Sequence, residues 1–428
     1  MKHLVQELTL KNGARGLIIN IPDASVITFN INFRAGEYLA PKNKWEIPHL
    51  MEHVLLGANE LIPRARDFHA EFEKNGAYSN ASTGVYDIEY EAECADFEWD
   101  RVLDLMLLAI SKPLFLEDEY MAEFGNVKEE LDARSNNHFR RLSLEMSKAI
   151  GFIAKTDQER IKLMDNIKLE DLVEHYKRTH FTSNLRFVIA GSINAKKLIE
   201  ITKKISNIEL PRGKKRFALP QEKLHIPNKP IFILNKSINN VYFYLDTFLE
   251  RRLTNLENDA LSLLNTYLTE TLHSKILGTA REKGLLYDMS SGISYSKNIT
   301  NWWFGAQLSE ENLRLLMDII ISEMSRVRRG GINLDDIEAT KQYLIGRFQR
   351  SAQTVMGTAM GYVGRYFFDN VIDNYYKIPE RINAITKQDI VDVANAMFEE
   401  QKWYYGALGN TSMKEVETTN RQIAVLWN

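Results

Sequence analysis

Apolar and polar residues alternate in two short stretches. Ile27, Phe29, Ile31 and Phe33 are interleaved with Thr28, Asn30 and Asn32. This period of two predicts a strand with one buried face. Tyr86, Ile88, Tyr90 and Ala92 alternate with Asp87, Glu89, Glu91 and Glu93, which predicts another. Elsewhere the spacing is helical, as from Val102 to Leu108 and from Leu313 to Ile320. Leu116 to Tyr120 and Asn333 to Ile337 each open a long amphipathic helix. Helices and strands do not alternate strictly, and the strands read as half-buried. Both features predict an α+β fold, with mostly antiparallel sheets and helices packed on one face, over a doubly wound parallel sheet.

The pattern repeats. The stretch from Asp171 to Gly191 reads as helix, short apolar strand and glycine, and Asp389 to Gly409 reads the same way 218 residues later. The openings at Leu116 and Asn333 lie at nearly that offset. Several weak matches in one order point to a duplicated chain. Turn formers and charges cluster from Pro211 to Arg216 and from Pro227 to Pro230, which predicts the seam. The expected domains are 1–215 and 228–428.

Composition narrows the function classes. The chain has 428 residues, 44% hydrophobic and 26% charged, which excludes a mainly disordered or membrane-embedded protein. A net charge of -3 gives no reason to expect nucleic acid or an anionic membrane as partner. Cys94 is the one cysteine, so there is neither an intrachain disulfide framework nor a multi-cysteine metal site. The residues from Met1 to Glu7 hold no apolar run of signal-peptide length, so a cytoplasmic location is expected.

The chemistry concentrates at His49-Leu50-Met51-Glu52-His53. Pro48 suits a first helical turn and Gly57 can close the helix. On a helix His49 and His53 lie one turn apart on one face, with Glu52 beside them. Two imidazoles so placed can share a zinc ion, with a carboxylate next to the open coordination position. The alternative is a surface helix carrying two unrelated histidines. A catalytic zinc needs a third ligand, and the helix beginning near Glu117 offers Glu123, Glu129 and Glu130. Glu123 and Glu130 are two turns apart on one face, with Glu129 rotated by about 100°. Spacing alone leaves Glu129 and Glu130 open as ligands. His138, His175 and His180 lie in charged surroundings and read as surface residues.

These residues resemble the pitrilysin and insulinase family of zinc peptidases, in its short two-domain branch with mitochondrial processing peptidase and bacterial relatives. The inverted His-x-x-Glu-His motif is followed in that family, 77 residues after its second His, by the third ligand, which the resemblance therefore places at Glu130. It gives Glu123 an outer role beside the ligands. The segment from Asn75 to Thr83, with Asn80 and Ala81, resembles the family's lead into an edge strand that pairs with substrate backbone. In the second half, Arg281 and Tyr287 resemble an Arg/Tyr pair that reaches substrate, although their separation is six residues where the usual pattern has seven. Leu55-Leu56-Gly57-Ala58-Asn59 also departs from the family's wording, without removing a ligand. Shifting His49, Glu52, His53 and Glu130 by 217 lands on Thr266, Thr269, Glu270 and Arg347, so only the first half keeps the metal set.

The resemblance implies one Zn²⁺ per chain and a metalloendopeptidase acting on oligopeptides or unfolded precursor peptides. Glu52 is the expected general base, and Arg281 and Tyr287 are expected to stabilise the tetrahedral intermediate. Family members enclose substrate with four such domains, so this chain is expected to dimerise. A homodimer is expected first, because one chain carries both the metal motif and the Arg/Tyr pair. The alternatives are one subunit of a heterodimeric peptide-maturation protease and a non-catalytic structural relative.

Overall fold

A computed structural model describes residues 2–427, which fall into two compact units. The first comprises Met1–Asp132, Gln158–Leu219 and Gln349–Tyr375, and the second Ala133–Asp157, Pro220–Phe348 and Tyr376–Asn428. Among the described residues no helix is long and apolar enough to cross a membrane.

In the first unit the strands are β1 (Leu4–Thr9), β2 (Arg15–Asn20), β3 (Val26–Phe33), β4 (Tyr78–Thr83), β5 (Ile88–Ala95) and β6 (Arg186–Gly191). They form one sheet in the order β1-β2-β6-β3-β5-β4, antiparallel except where β2 meets β6. The register pairs Phe29 with Ala92, Ile31 with Tyr90 and Phe33 with Ile88. Because strand side chains alternate, this register sends the apolar set of both strands to one face. There they meet the helices Ile47–Leu55, Trp99–Ser111, Glu117–Ser135 and Leu169–Thr179 in a single core. Each fully buried Phe, Leu or Ile adds about 1.5–3 kcal/mol by leaving water.

The second unit has β7 (Ile231–Leu234), β8 (Val241–Leu249), β9 (Met289–Tyr295), β10 (Thr300–Leu308) and β11 (Trp403–Gly409), in the order β7-β11-β8-β10-β9. Again one contact, β7 with β11, is parallel and the rest antiparallel. Phe243, Leu245, Trp302 and Phe304 enter the core beneath the helices Asn255–Asn265, Glu310–Arg328 and Lys387–Glu399.

Both sheets are thus mostly antiparallel with a helical layer, as the patterns predict. Each also carries one helix on its opposite face, and that helix comes from the other half of the sequence. In the first unit it is Val355–Asp369, whose Met356 sulfur meets the Thr28 hydroxyl. In the second it is His138–Ala149, whose Met146 packs in a cluster with Tyr244 and Leu408. Three pairs of equivalent elements illustrate the duplication: Glu117–Ser135 with Leu334–Ser351, His138–Ala149 with Val355–Asp369, and Leu169–Thr179 with Lys387–Glu399. Their starting residues are 217 or 218 apart.

Two histidines correct the surface reading. His175 and His180 are 3% and 1% exposed. His175 Nε2 lies 2.7 Å from the Ala35 carbonyl, and His180 Nε2 lies 3.0 Å from the Tyr90 hydroxyl. Burial pushes both imidazoles down, His175 to about 4, so they are neutral core residues. Leu172, His175 and Thr179 share the buried face of their helix, whereas the intervening charged residues face water.

Candidate metal centre

The site is built on two helices of the first unit. Ile47–Leu55 has Glu46 at its N-cap and Pro48 in the first turn. Its apolar residues Leu50, Met51 and Val54 are wholly buried, which fixes the helix's rotation. His49 and His53, four residues apart, therefore project from one face with ring centroids 5.0 Å apart. The helix Glu117–Ser135 is anchored by Tyr120, Val127 and Leu131. Its Glu119 carboxylate takes the backbone N–H groups of Ala58 and Ala65, tying down the loop after the histidine helix.

Three side chains converge. Glu130 Oε2 lies 3.3 Å from His49 Nε2 and 3.6 Å from His53 Nε2. Two ligands about 2.05 Å from one tetrahedral ion are themselves about 3.3 Å apart, so this spacing fits a zinc-sized centre. Glu129 is exposed and stands outside the group of possible ligand atoms formed by His49, His53 and Glu130.

The remaining ring nitrogens are already engaged. His49 Nδ1 lies 3.0 Å from Glu46 Oε2, and His53 Nδ1 lies 2.9 Å from Glu123 Oε2. Carboxylates on both Nδ1 atoms leave both Nε2 atoms directed at Glu130, the arrangement that orients imidazoles for a metal. Glu46 is itself gripped by Arg160, through Nε to Oε1 and through Nη2 to Oε2 at 2.9 Å. Arg160 also reaches Glu37 at 3.1 Å. Burial works to raise the Glu46 carboxyl, but the His49 hydrogen bond and Arg160 outweigh it and hold it below its ordinary range. Burial likewise works to lower His49, and its bonds to Glu130 and Glu46 overcome that to bring it to about 9. The His53 hydrogen bond holds Glu123 down. These shifts describe an electronegative pocket whose two histidines sit among three carboxylates, a donor set suited to a divalent cation.

Glu52 is buried, and its Oε2 accepts a 2.6 Å hydrogen bond from Thr83 Oγ1 at the end of β4. Asn80 and Ala81 lie in the same strand, at the edge of the sheet and paired only with β5. The Asn80 amide reaches Glu91 Oε1 at 3.4 Å, and Ala81 turns toward the core.

Arg281 and Tyr287 belong to the second unit. Arg281 donates to the Tyr287 carbonyl, with its guanidinium 4.7 Å from the Tyr287 ring centroid. Tyr287 is 82% exposed, so it does not pack beneath β9. It borders a cleft of about 460 Å³ lined also by Phe139, Tyr242 and Leu286. The shifted counterparts of the first unit's metal site behave differently. Arg347 forms an ion pair with Glu270, so the equivalents of Glu130 and His53 still meet, as a cation and an anion.

Sequence reasoning missed Glu46, Arg160 and the role of Thr83. Glu46 stands three residues before His49, a spacing that could have suggested it. Arg160 lies 114 residues from Glu46, and nothing local points to it.

Comparison with known proteins bears on the family and the fold. The profile described as insulinase (peptidase family M16) matches residues 16–161, and that described as peptidase M16 inactive domain matches residues 166–344. A Helicobacter pylori protein named zinc protease PqqE is 24% identical over 206 residues, 46% of this chain and 46% of that protein. The insulin-degrading enzyme of Drosophila melanogaster is 24% identical over 188 residues, 42% of this chain and 19% of the enzyme. The chain thus spans less than half the length of these curated relatives. Among solved structures, a protease from Helicobacter pylori aligns with a TM-score of 0.83 at 18% identity, covering 96% of this chain and all of that one. A peptidase M16 inactive domain from Pseudomonas fluorescens aligns with a TM-score of 0.81 at 18% identity, covering 96% and 98%. At such identities these structures establish the fold alone.

Proposed function

This chain belongs to the insulinase family of peptidases (family M16), and on that premise we propose that it is a zinc-dependent endopeptidase acting on oligopeptides or unfolded precursor peptides. One observation carries the reading: His49 Nε2, His53 Nε2 and Glu130 Oε2 converge at metal-ligand spacing beside a buried Glu52. His49, His53 and Glu130 would hold one Zn²⁺. When bound, the ion supplies Lewis-acid chemistry, polarising a carbonyl and making water nucleophilic near neutral pH.

The chain's own residues do the rest. Glu52 accepts the proton of the attacking water and delivers it to the leaving amine. Thr83 holds that carboxylate in one orientation, which shortens the search for a productive geometry. Glu46 and Glu123 hold the imidazoles, and Arg160 holds Glu46. Substrate backbone adds to the free edge of β4 near Asn80 and Ala81, a mode that reads shape more than side-chain identity. Arg281 and Tyr287 of the second domain contact substrate and stabilise the developing oxyanion. Their exposure and mutual contact support a pair held ready for a ligand.

The halves 1–215 and 228–428 act as a metal-bearing domain and a supporting domain. Two chains join as a homodimer to enclose the substrate. A second reading is a subunit of a heterodimeric peptide-maturation protease. The inactive-domain match over residues 166–344 and the six-residue spacing from Arg281 to Tyr287 favour it. A non-catalytic structural relative is the third, and the complete ligand set with Glu52 argues against it.

The deciding experiment is cleavage of a mixed oligopeptide library by the purified chain, with and without a chelator. Cleavage that a chelator stops and zinc restores is expected. Metal-loaded protein that stays inactive alone but cleaves with a sister subunit supports the heterodimer. Protein that binds no metal overturns the assignment.

A further inference from the structure

Three arginines of the first unit gather away from the metal centre. Arg34 follows β3, Arg186 opens β6, and Arg216 lies in the segment after the helix Ala195–Ser206. Arg186 and Arg216 are buried and Arg34 is half-buried. Each is bonded only to neutral oxygens. Arg34 donates to the carbonyls of Phe217 and Phe368, and Arg186 to the Asn370 amide oxygen and the Leu185 and Ser183 carbonyls. Arg216 donates to the amide oxygens of Asn32 and Asn370.

Among the described residues no carboxylate forms an ion pair with any of the three. Two acids act on the cluster through space without forming an ion pair with it. Asp87, which accepts from the Asn32 amide, attracts Arg34 and Arg216, and Glu7, which takes Arg15 and the Tyr366 hydroxyl, attracts Arg186. Asp369 faces Arg34 only at a distance. Buried charges are ordinarily paired, and three guanidiniums side by side repel one another. Burial, reinforced by Arg34 and Arg186, pushes the Arg216 guanidinium down to about 8. The Asp87 carboxylate acts against that push without cancelling it.

Two donors also stand without partners. Arg216 Nε and the Tyr38 hydroxyl are buried and make no hydrogen bond. Tyr38 is held firmly, because its N–H binds the Val85 carbonyl while the Glu37 N–H binds that of Gly84. Gly36 permits this close approach, since a Cβ there would come within 2.4 Å of the Gly84 carbonyl oxygen. Orphaned buried donors beside guanidiniums that are hydrogen-bonded only to neutral oxygens call for an acceptor carrying negative charge.

We propose that Arg34, Arg186, Arg216 and Tyr38 form a binding site for a small oxyanion of phosphate or carboxylate type. Planar guanidinium forks match two oxygens of such a group, and the Tyr38 hydroxyl adds a third donor. The anion neutralises the cluster where β3 and β6 meet the end of the helix Val355–Asp369.

The test is thermal unfolding of the full chain in a zwitterionic buffer, titrated separately with sodium phosphate and sodium acetate. Sodium chloride of matched ionic strength is the control. A melting temperature that rises and saturates at millimolar anion is expected, as mass action requires for a ligand of the folded state. The salt that saturates first distinguishes free phosphate from a carboxylate as the occupant. In Tyr38→Phe and Arg216→Met the apparent affinity should fall about 10-fold or more. If Arg216→Met does not fold, Tyr38→Phe decides alone. No rise beyond the chloride control overturns the site. So does an equal rise in Tyr38→Phe, since a general salt effect persists without a specific site.

Discussion

The Thr83 hydroxyl donates a 2.6 Å hydrogen bond to Glu52 Oε2, joining the end of an edge strand to the carboxylate beside the candidate metal ligands. The pair is 31 residues apart in sequence, and the bond orients the group assigned to move the proton. Thr83→Val keeps the shape and removes the donor. A hydrogen bond to a charged group is worth about 1.5–3 kcal/mol, so kcat should fall about 10-fold or more while KM holds. Thr83→Ser should restore most of the rate. Steady-state kinetics of the two variants side by side give the answer, and an unimpaired Thr83→Val removes Thr83 from the mechanism.

Glu52→Gln removes the proton acceptor without touching His49, His53 or Glu130. Turnover should disappear while metal content stays near one per chain. Peptide cleavage and elemental analysis on the same preparation test both halves. Normal cleavage by this variant would falsify the role of Glu52.

The carboxylates behind the imidazoles should govern metal affinity. Glu123→Gln weakens the grip on His53 Nδ1, and affinity should drop about 10–100-fold. Arg160→Met leaves Glu46, whose side chain is wholly buried, without its cation. Breaking such a buried pair costs about 3–5 kcal/mol, so this variant should lose stability as well as metal. Competition with a chromophoric chelator, alongside thermal melts, separates the two effects. Unchanged affinity in Glu123→Gln would mean that His53 keeps its orientation by packing alone.

In the second unit, Asp246 accepts a hydrogen bond from the Asn301 amide, and burial raises its carboxyl to about 7. A raised carboxyl binds its proton more tightly folded than unfolded. Its contribution to stability is therefore greatest at acidic pH and declines as pH climbs from about 4 to about 7. The limiting slope for one group is about 1.4 kcal/mol per pH unit. Asp246→Asn removes this ionisation, so the difference between variant and wild type in denaturant melts should grow with pH over that window. Parallel curves would mean that Asp246 ionises in the folded chain as it does unfolded.

Local rules carried much of the reading. A four-residue spacing on a helix put His49 and His53 on one face, because 3.6 residues per turn leaves no other arrangement. Strict alternation identified β3 and most of β5, since a pleat exposes every second residue. The duplication was legible through repeated helix and strand openings. Where the signal was mixed, the reading failed. His175 and His180 lie among charged neighbours, yet His175 shares the buried face of its helix with Leu172 and Thr179.

By itself the sequence determined the motif helix, the openings of several longer helices and the strands β3, β5, β6 and β11, all set by neighbours within a turn or a pleat. Tertiary structure decided what depends on separate segments meeting. It brought Glu130 rather than Glu129 to the histidines, through the rotation set by Tyr120, Val127 and Leu131. Arg160 reached Glu46 across 114 residues, and the helices His138–Ala149 and Val355–Asp369 each joined the sheet of the other half. An amphipathic helix states that it must bury a face, but the surface that accepts it depends on packing and chain connectivity rather than on its own periodicity.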